Sequence, residues 1–243
     1  MNNRLITTAI CLSLLFSCSG TKKEEEKITA ESSYIKAMDL LKDHSFGEAA
    51  KEFDKIDDEF PFSKWAMKSK IMTIYAYYKD EEFEKVISSA DDFLRLNANS
   101  DYASYALYMK GLSFYNRIPS IDRAQNDTQQ ASFAFRELLA RFPISSYAQD
   151  AREKIAFIDE HLAGAKMSIG RYQIKVKNYV GALASFNEVI GRYRQTKQIA
   201  EAYFRLGEIY DKIGLKKEAA KAKEHLQSQF PNSYFAKYNR DEK

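Results

Sequence analysis

Apolar residues recur three and four positions apart along almost the whole chain, and runs alternating apolar with polar are nearly absent. That spacing predicts amphipathic helices and very little strand. The helical pattern is punctuated by one phrase, written three times: Phe60-Pro61-Phe62-Ser63-Lys64-Trp65-Ala66, Phe142-Pro143-Ile144-Ser145-Ser146-Tyr147-Ala148 and Phe230-Pro231-Asn232-Ser233-Tyr234-Phe235-Ala236. A blurred copy runs Asn97-Ala98-Asn99-Ser100-Asp101-Tyr102-Ala103, and Tyr193-Arg194 marks a fifth boundary. Proline stops a helix. The Ser two residues later is placed to cap the next one, whose buried face opens with the aromatic and the Ala. Each phrase therefore reads as helix stop, turn and helix start, and its recurrence predicts a repeated helical unit.

The spacing upstream of each phrase is equally regular. Small residues fall twelve apart at Ala37 and Ala49 before Pro61, at Gly207 and Ala219 before Pro231, and at Gly170 and Ala182 before Arg194. Gly111, Ala131 and Pro143 follow the same rule if eight extra residues separate the paired helices. Small residues at these places let two antiparallel helices approach closely. Phe53, Phe135 and Phe186, four residues after the second small residue, are placed to fill the gap beside it.

This pattern resembles the tetratricopeptide repeat, a helix-turn-helix of about 34 residues written W-x2-L-G-x2-Y…A-x3-F…P. Tyr203-x2-Leu206-Gly207-x2-Tyr210 with Ala219 and Pro231 is the best copy. Lys223 stands where the consensus has Phe, so the last helix reads as a cap facing water. Five repeats are expected, the second (about Ala66 to Asn97) the least regular. The fold expected is all-α: a solenoid of five repeats whose two halves are joined by a long helix.

Two departures from regularity stand out. Arg117-Ile118-Pro119-Ser120-Ile121-Asp122-Arg123-Ala124-Gln125-Asn126-Asp127 carries the excess of the third repeat and reads as an exposed loop. Asp122, Arg123 and Asp127 are its candidate partner contacts, since loops on a rigid scaffold often carry function. From Pro143 on past Gly170 the apolar period continues through Tyr147, Ala151, Ile155, Ile158, Leu162, Ala165, Ile169, Tyr172 and Val176 without a proline. One helix from about Ser146 to Lys177, roughly 45 Å long, is expected there. Gly164 is its weak point.

The first residues break the pattern. Arg4 precedes an apolar run from Leu5 to Phe16, a secretory signal too short for a stable span. Leu15-Phe16-Ser17-Cys18 resembles a bacterial lipobox, which implies cleavage between Ser17 and Cys18 and lipidation of Cys18. Cleavage removes Cys11 and leaves no thiol pair for an internal disulfide. Ser19 after the Cys fits export to the outer membrane under the sorting rules known for enterobacterial lipoproteins. The expected organisation is a signal peptide (1–17), a lipidated tether (18–30), repeats one to three (31–143), the long helix with repeats four and five (144–238) and a tail (239–243).

Charge and composition exclude more than they assign. A formal net charge of +3 over 243 residues, with acids and bases interspersed, gives no basis for nucleic-acid binding. His44, His161 and His225 fall in separate repeats, and no metal, phosphate-loop or nucleophile motif surrounds them. No cofactor and no catalytic activity are expected.

In tetratricopeptide proteins the first helix of each pair lines the concave surface. By phase, the resemblance implies a peptide groove of Tyr34, Met38 and Leu41 in repeat one and Tyr105, Tyr108, Leu112 and Tyr115 in repeat three. It implies Met167, Arg171, Ile174 and Lys175 in repeat four, and Glu201, Phe204, Glu208 and Asp211 in repeat five. The N-terminal half is then aromatic and suits an extended apolar peptide. The alternative is that these side chains pack between neighbouring repeats.

Ile74-Tyr75-Ala76-Tyr77-Tyr78-Lys79, Tyr105-Ala106-Leu107-Tyr108-Met109-Lys110-Gly111-Leu112, the Asp-Arg loop and the long helix after Pro143 together resemble the BamD family, lipoproteins of the outer-membrane β-barrel assembly machinery. The resemblance covers nearly the whole mature chain. It implies a non-catalytic scaffold on the periplasmic face of the outer membrane, held to the lipid by acylated Cys18. The implied partners are the POTRA domains of BamA at the C-terminal repeats, unfolded outer-membrane precursors at the N-terminal repeats, and accessory lipoproteins of the same complex. The rival is another lipid-anchored repeat adaptor, for example one organising peptidoglycan synthesis. It shares fold and anchor, and the loop and long helix argue against it.

Overall fold

The computed structural model describes residues 28–241. The expected signal peptide, Cys18 and the tether up to residue 27 lie outside the described residues, as do residues 242 and 243 of the expected tail. The helices come in antiparallel pairs: α1 (Ala30–Lys42) with α2 (Phe46–Glu59), α3 (Ala66–Lys79) with α4 (Phe83–Leu96), α5 (Ala103–Tyr115) with α6 (Asn126–Arg141), α7 (Ala148–Lys175) with α8 (Tyr179–Arg192), and α9 (Ile199–Lys212) with α10 (Lys216–Gln229). A short α11 (Tyr234–Asp241) closes the array and runs into the stretch expected as tail. Among the described residues there is no strand, and no helix is long and apolar enough to cross a membrane. The chain is an all-α solenoid of helix pairs.

The repeated phrase folds the same way each time. Phe60, Phe142 and Phe230 end their helices by donating N–H to the carbonyls of Ile56, Leu138 and Leu226 at 2.7–3.0 Å. The N–H of Ser63, Ser100, Ser145, Thr196 and Ser233 then donates to the carbonyl three residues back, so the blurred copies share the backbone of the clear ones. The expected side-chain cap is made by Ser63 and Ser233, whose hydroxyls accept from Ala66 and Ala236 N–H at 3.1 Å. At Ser100 and Ser145 the backbone carbonyl takes that N–H instead, at 3.0 Å.

Within a pair the turn is a Schellman motif. His44, Glu81, Lys177 and Gly214 take left-handed φ of 60°, 59°, 61° and 85°. The next residue's N–H reaches five residues back, at 2.8–3.0 Å, to Leu40, Tyr77, Gln173 and Tyr210 carbonyls. The third pair departs from this, because the loop takes the place of the tight turn.

Close approach within pairs follows the small residues. A Cβ built on Gly111 would meet the Phe135 ring at 2.6 Å, and one on Gly170 the Phe186 ring at 2.6 Å. The second pair, expected to be least regular, has two helices of fourteen residues, the length of α2. Its three equivalent positions hold Ile74, Val86 and Ala90, all fully buried. The large residue has moved from the second helix to the first, and the interface stays filled. At the fifth pair Lys223 lies along Gly207 with its Cγ 3.4 Å from a built Cβ. The water-facing cap expected of α10 is shared with α11, whose Phe235 ring sits 5.5 Å from Phe204 of α9.

α7 is one continuous helix of 28 residues, twice the fourteen of α3, α8 and α9, with Gly164 inside it. It spans about 42 Å. Its beginning packs on α6 and its end on α8, so it is the first helix of the fourth pair as well as the connector. The largest core cluster runs through it without a break, from Leu107, Phe135 and Leu138 to Ile158, Met167, Phe186 and Leu206.

Candidate peptide-binding surface

Odd-numbered helices touch across repeats, α1 with α3 and α3 with α5, while even-numbered helices make no comparable contact with one another. In the first three pairs the odd helices therefore lie together on one side, and the candidate groove residues of repeats one and three sit on α1 and α5. Tyr34 is half-buried, its ring 5.3 Å from fully buried Phe53 and 4.6 Å from Trp65. Met38 and Leu41 are half-buried against the same cluster.

The repeat-three set is denser. Tyr108 stacks on Tyr147 at 4.8 Å, Tyr105 lies 5.6 Å from Tyr147, and Tyr115 lies 5.5 Å from Phe157. Tyr108 donates its hydroxyl to Asp150 Oδ2 at 2.6 Å. Lys154 pairs with the other oxygen of Asp150 at 3.1 Å and lies 5.1 Å over the Tyr115 ring. Burial raises the Tyr105 hydroxyl above the ordinary tyrosine range, with smaller contributions from neighbouring tyrosines. Burial and then the Asp150 hydrogen bond do the same at Tyr108. Both stay neutral hydrogen-bonding groups at any physiological pH. Leu112 is half-buried beside them.

Packing between neighbouring repeats is observed for these residues. Each side chain spends part of its surface on the neighbouring repeat and leaves an edge open. Tyr147, Asp150, Lys154 and Phe157 at the start of α7 join this cluster, although the sequence presents α7 as a connector. The signal was in hand: Tyr147 belongs to the repeated phrase, which opens a first helix.

The C-terminal inner surface is charged, with two corrections. Met167 is fully buried in the largest core cluster, and Phe204 is nearly so, beside Phe235 of α11. What remains is an ion-pair net: Arg171 and Arg205 both reach Glu201 at 3.1–3.3 Å, and Arg205 also reaches Glu208 at 2.8 Å. Asp211 pairs with Lys223 and Lys216, which hold its carboxyl below the usual aspartate range.

The candidate loop residues separate. Asp122 and Arg123 are exposed and line a hollow between the loop and the middle of α7, floored by Leu162, Ala165 and Ile169. Asp127 lies in the first turn of α6 and pairs with Arg117 at 3.1 Å, and Arg117 also pairs with Glu84 of α4. Asp127 thus ties the loop's base. The three His residues each lie against an aromatic ring, Phe46, Phe157 and Tyr203, at 5.3–6.0 Å. Among the described residues no group of His, Cys, Asp and Glu could hold a metal ion.

Residues 26–226 match the model of the YfiO family, described as outer membrane lipoprotein. The chain belongs to this family. Three relatives, each named outer membrane protein assembly factor BamD, agree. The protein of Caulobacter vibrioides is 34% identical over 93% of this chain and 75% of its own. That of Neisseria meningitidis serogroup B is 33% identical over 98% and 94%, and that of Rickettsia prowazekii 32% over 97% and 94%. Among solved structures the pilus biogenesis factor PilW aligns over 86% of this chain at 14% identity and a TM-score of 0.40, too loosely to carry an argument.

Proposed function

We propose that this protein is a non-catalytic scaffold for assembling outer-membrane proteins, held to the periplasmic face of the outer membrane by lipid on Cys18. The family match across residues 26–226, with relatives named as assembly factors over nearly their full length, carries the reading. The inner surface supports a division of labour. The aromatic edges of Tyr34, Tyr105, Tyr108 and Tyr115 suit an extended, apolar segment of an unfolded precursor, offering large contact area with little side-chain entropy to lose. The ion-paired surface of repeats four and five suits a folded polar partner, the POTRA domains of BamA. Exposure of Asp122 and Arg123 at the rim of the loop hollow supports assigning accessory lipoproteins to this loop.

The test is crosslinking. Tyr105→Ala with Tyr108→Ala weakens capture of precursor peptides and leaves BamA recovery intact. Loss of both, at normal helicity, removes these residues from the groove.

A further inference from the structure

Phe62 and Ile144 follow the turn prolines and stand wholly clear of the protein, at 101% and 97% relative exposure. Leu96, at the end of α4, and Ile28, just before α1, are also largely exposed. The antiparallel order of the helices puts all four on one edge. Turns 60–65, 97–102 and 142–147 each lead from an even helix into the next odd one, and α1 begins where odd helices begin. Contacts along that edge agree. Tyr34 meets Trp65 at 4.6 Å, the Arg141 guanidinium donates to the Ala98 carbonyl at 2.7 Å, and Tyr105 meets Tyr147 at 5.6 Å. The next turn leaves the line. Lys197 N–H and the Gln198 amide donate to Glu160, both at 2.9 Å, about 18 Å along α7 from Ala148.

The chemistry of this edge is that of a membrane–water interface. Trp65, the chain's single Trp, is half-buried beside Phe62, with Lys64 and Lys68 ammonium groups 5.2 and 5.5 Å from its ring. Trp and Lys both join an apolar body to a polar tip and favour that boundary. Asp58, Glu59 and Asp101 stand in or beside the same turns, so attraction to lipid here comes from apolar surface rather than net charge. The chain also leads there. Cys18 precedes Ile28 by ten residues, at most about 35 Å when extended, and enters the solenoid at this edge.

We propose that the edge carrying Phe62, Leu96 and Ile144 rests in the headgroup layer of the bilayer that holds the anchor. The proposal rests on the lipid-anchor reading of Cys18. It orients the solenoid, with the inter-repeat turns of its first half against the membrane.

Trp65 is the probe. The full-length lipidated protein is reconstituted in phosphatidylcholine vesicles containing lipids brominated at shallow or deep positions. Shallow bromines quench Trp65 fluorescence more than deep ones, and added salt leaves the quenching unchanged. Phe62→Ser with Ile144→Ser lowers the quenching by about half or more, because the apolar area that holds the edge in place is gone. Moving the probe to the tip, by Phe62→Trp with Trp65→Phe, raises it. Phe62 and Ile144 are fully exposed, so the serine changes preserve helicity. Absence of quenching, or equal quenching before and after the serine changes, overturns the proposal. So does a self-association that the serines abolish in a chain whose Trp65 is not quenched, which assigns the edge to a second copy. Intact mass reads acylation of Cys18 separately. An unacylated Cys18 defeats the anchor reading, and quenching of that chain by the same vesicles still decides the edge.

Discussion

Replacing Gly111 with Ala sets close packing against helix propensity at one atom. In an open helix the change favours folding by about 1 kcal/mol. At Gly111 the added Cβ lies 2.6, 2.8 and 3.0 Å from three atoms of the Phe135 ring. That ring is fully buried and bordered by Tyr108 and Tyr115, with centroids at 6.1 and 6.4 Å, so it retreats only by moving both. Overpacking of this kind costs about 1–3 kcal/mol. The expected net is a loss of about 1 kcal/mol from these opposing terms. Gly191 is the control, since a Cβ there meets nothing within 4 Å. Gly191→Ala gains about 1 kcal/mol, and the two variants differ by roughly 2 kcal/mol. Urea unfolding followed by circular dichroism reads the difference as opposed midpoint shifts. Amide exchange in α5 and α6 localises it if the array melts in parts. Phe135→Leu in the Gly111→Ala chain recovers part of the loss. If Gly111→Ala stabilises as much as Gly191→Ala, the two helices do not meet through Phe135 and the repeat phase is wrong.

Lys177→Gly relieves a left-handed backbone at φ 61° and gains about 0.5–1 kcal/mol in the same unfolding assay, whereas a loss would mean the Lys177 side chain is needed at the turn. Asp211→Asn tests a pH dependence. Its carboxyl is held low by Lys223 and then Lys216, so its contribution is present above the unfolded aspartate value and disappears as pH falls through the folded one. The pair is partly exposed, so the variant loses no more than about 0.5 kcal/mol at neutral pH and matches the parent near pH 2. An unchanged difference at both pH values removes the charge from the explanation. Cys18→Ala leaves an unacylated precursor or a released protein, and palmitate-labelled membrane protein at the parent level contradicts the lipobox.

The fold was legible because its signals are local. Proline phrases and small residues twelve apart report turns and close helix contacts that each chain segment makes with its neighbour. The phase misled where one helix does two jobs. The sequence presents α7 as a connector, and only its packing beside α5 brings Tyr147, Asp150, Lys154 and Phe157 against Tyr105, Tyr108 and Tyr115. Compensation between positions was also invisible. Ile74, Val86 and Ala90 break the consensus one by one and satisfy it together, because packing constrains summed volume rather than each residue. Met167 is buried in a core cluster that runs across several repeats, and Phe204 under Phe235 of α11, which a helix-face argument confined to one repeat does not contain. The two-way pairing of Arg117 with Asp127 and Glu84 ties the loop to α6 and α4, and no spacing rule announces it.

Native purification from solubilised outer membranes, with a tag after residue 243, tests the central claim most directly. Recovery of the barrel-forming subunit with its periplasmic POTRA domains, together with unfolded precursors, is the predicted result. Recovery of cell-wall synthases without that subunit would place this scaffold in another envelope machine.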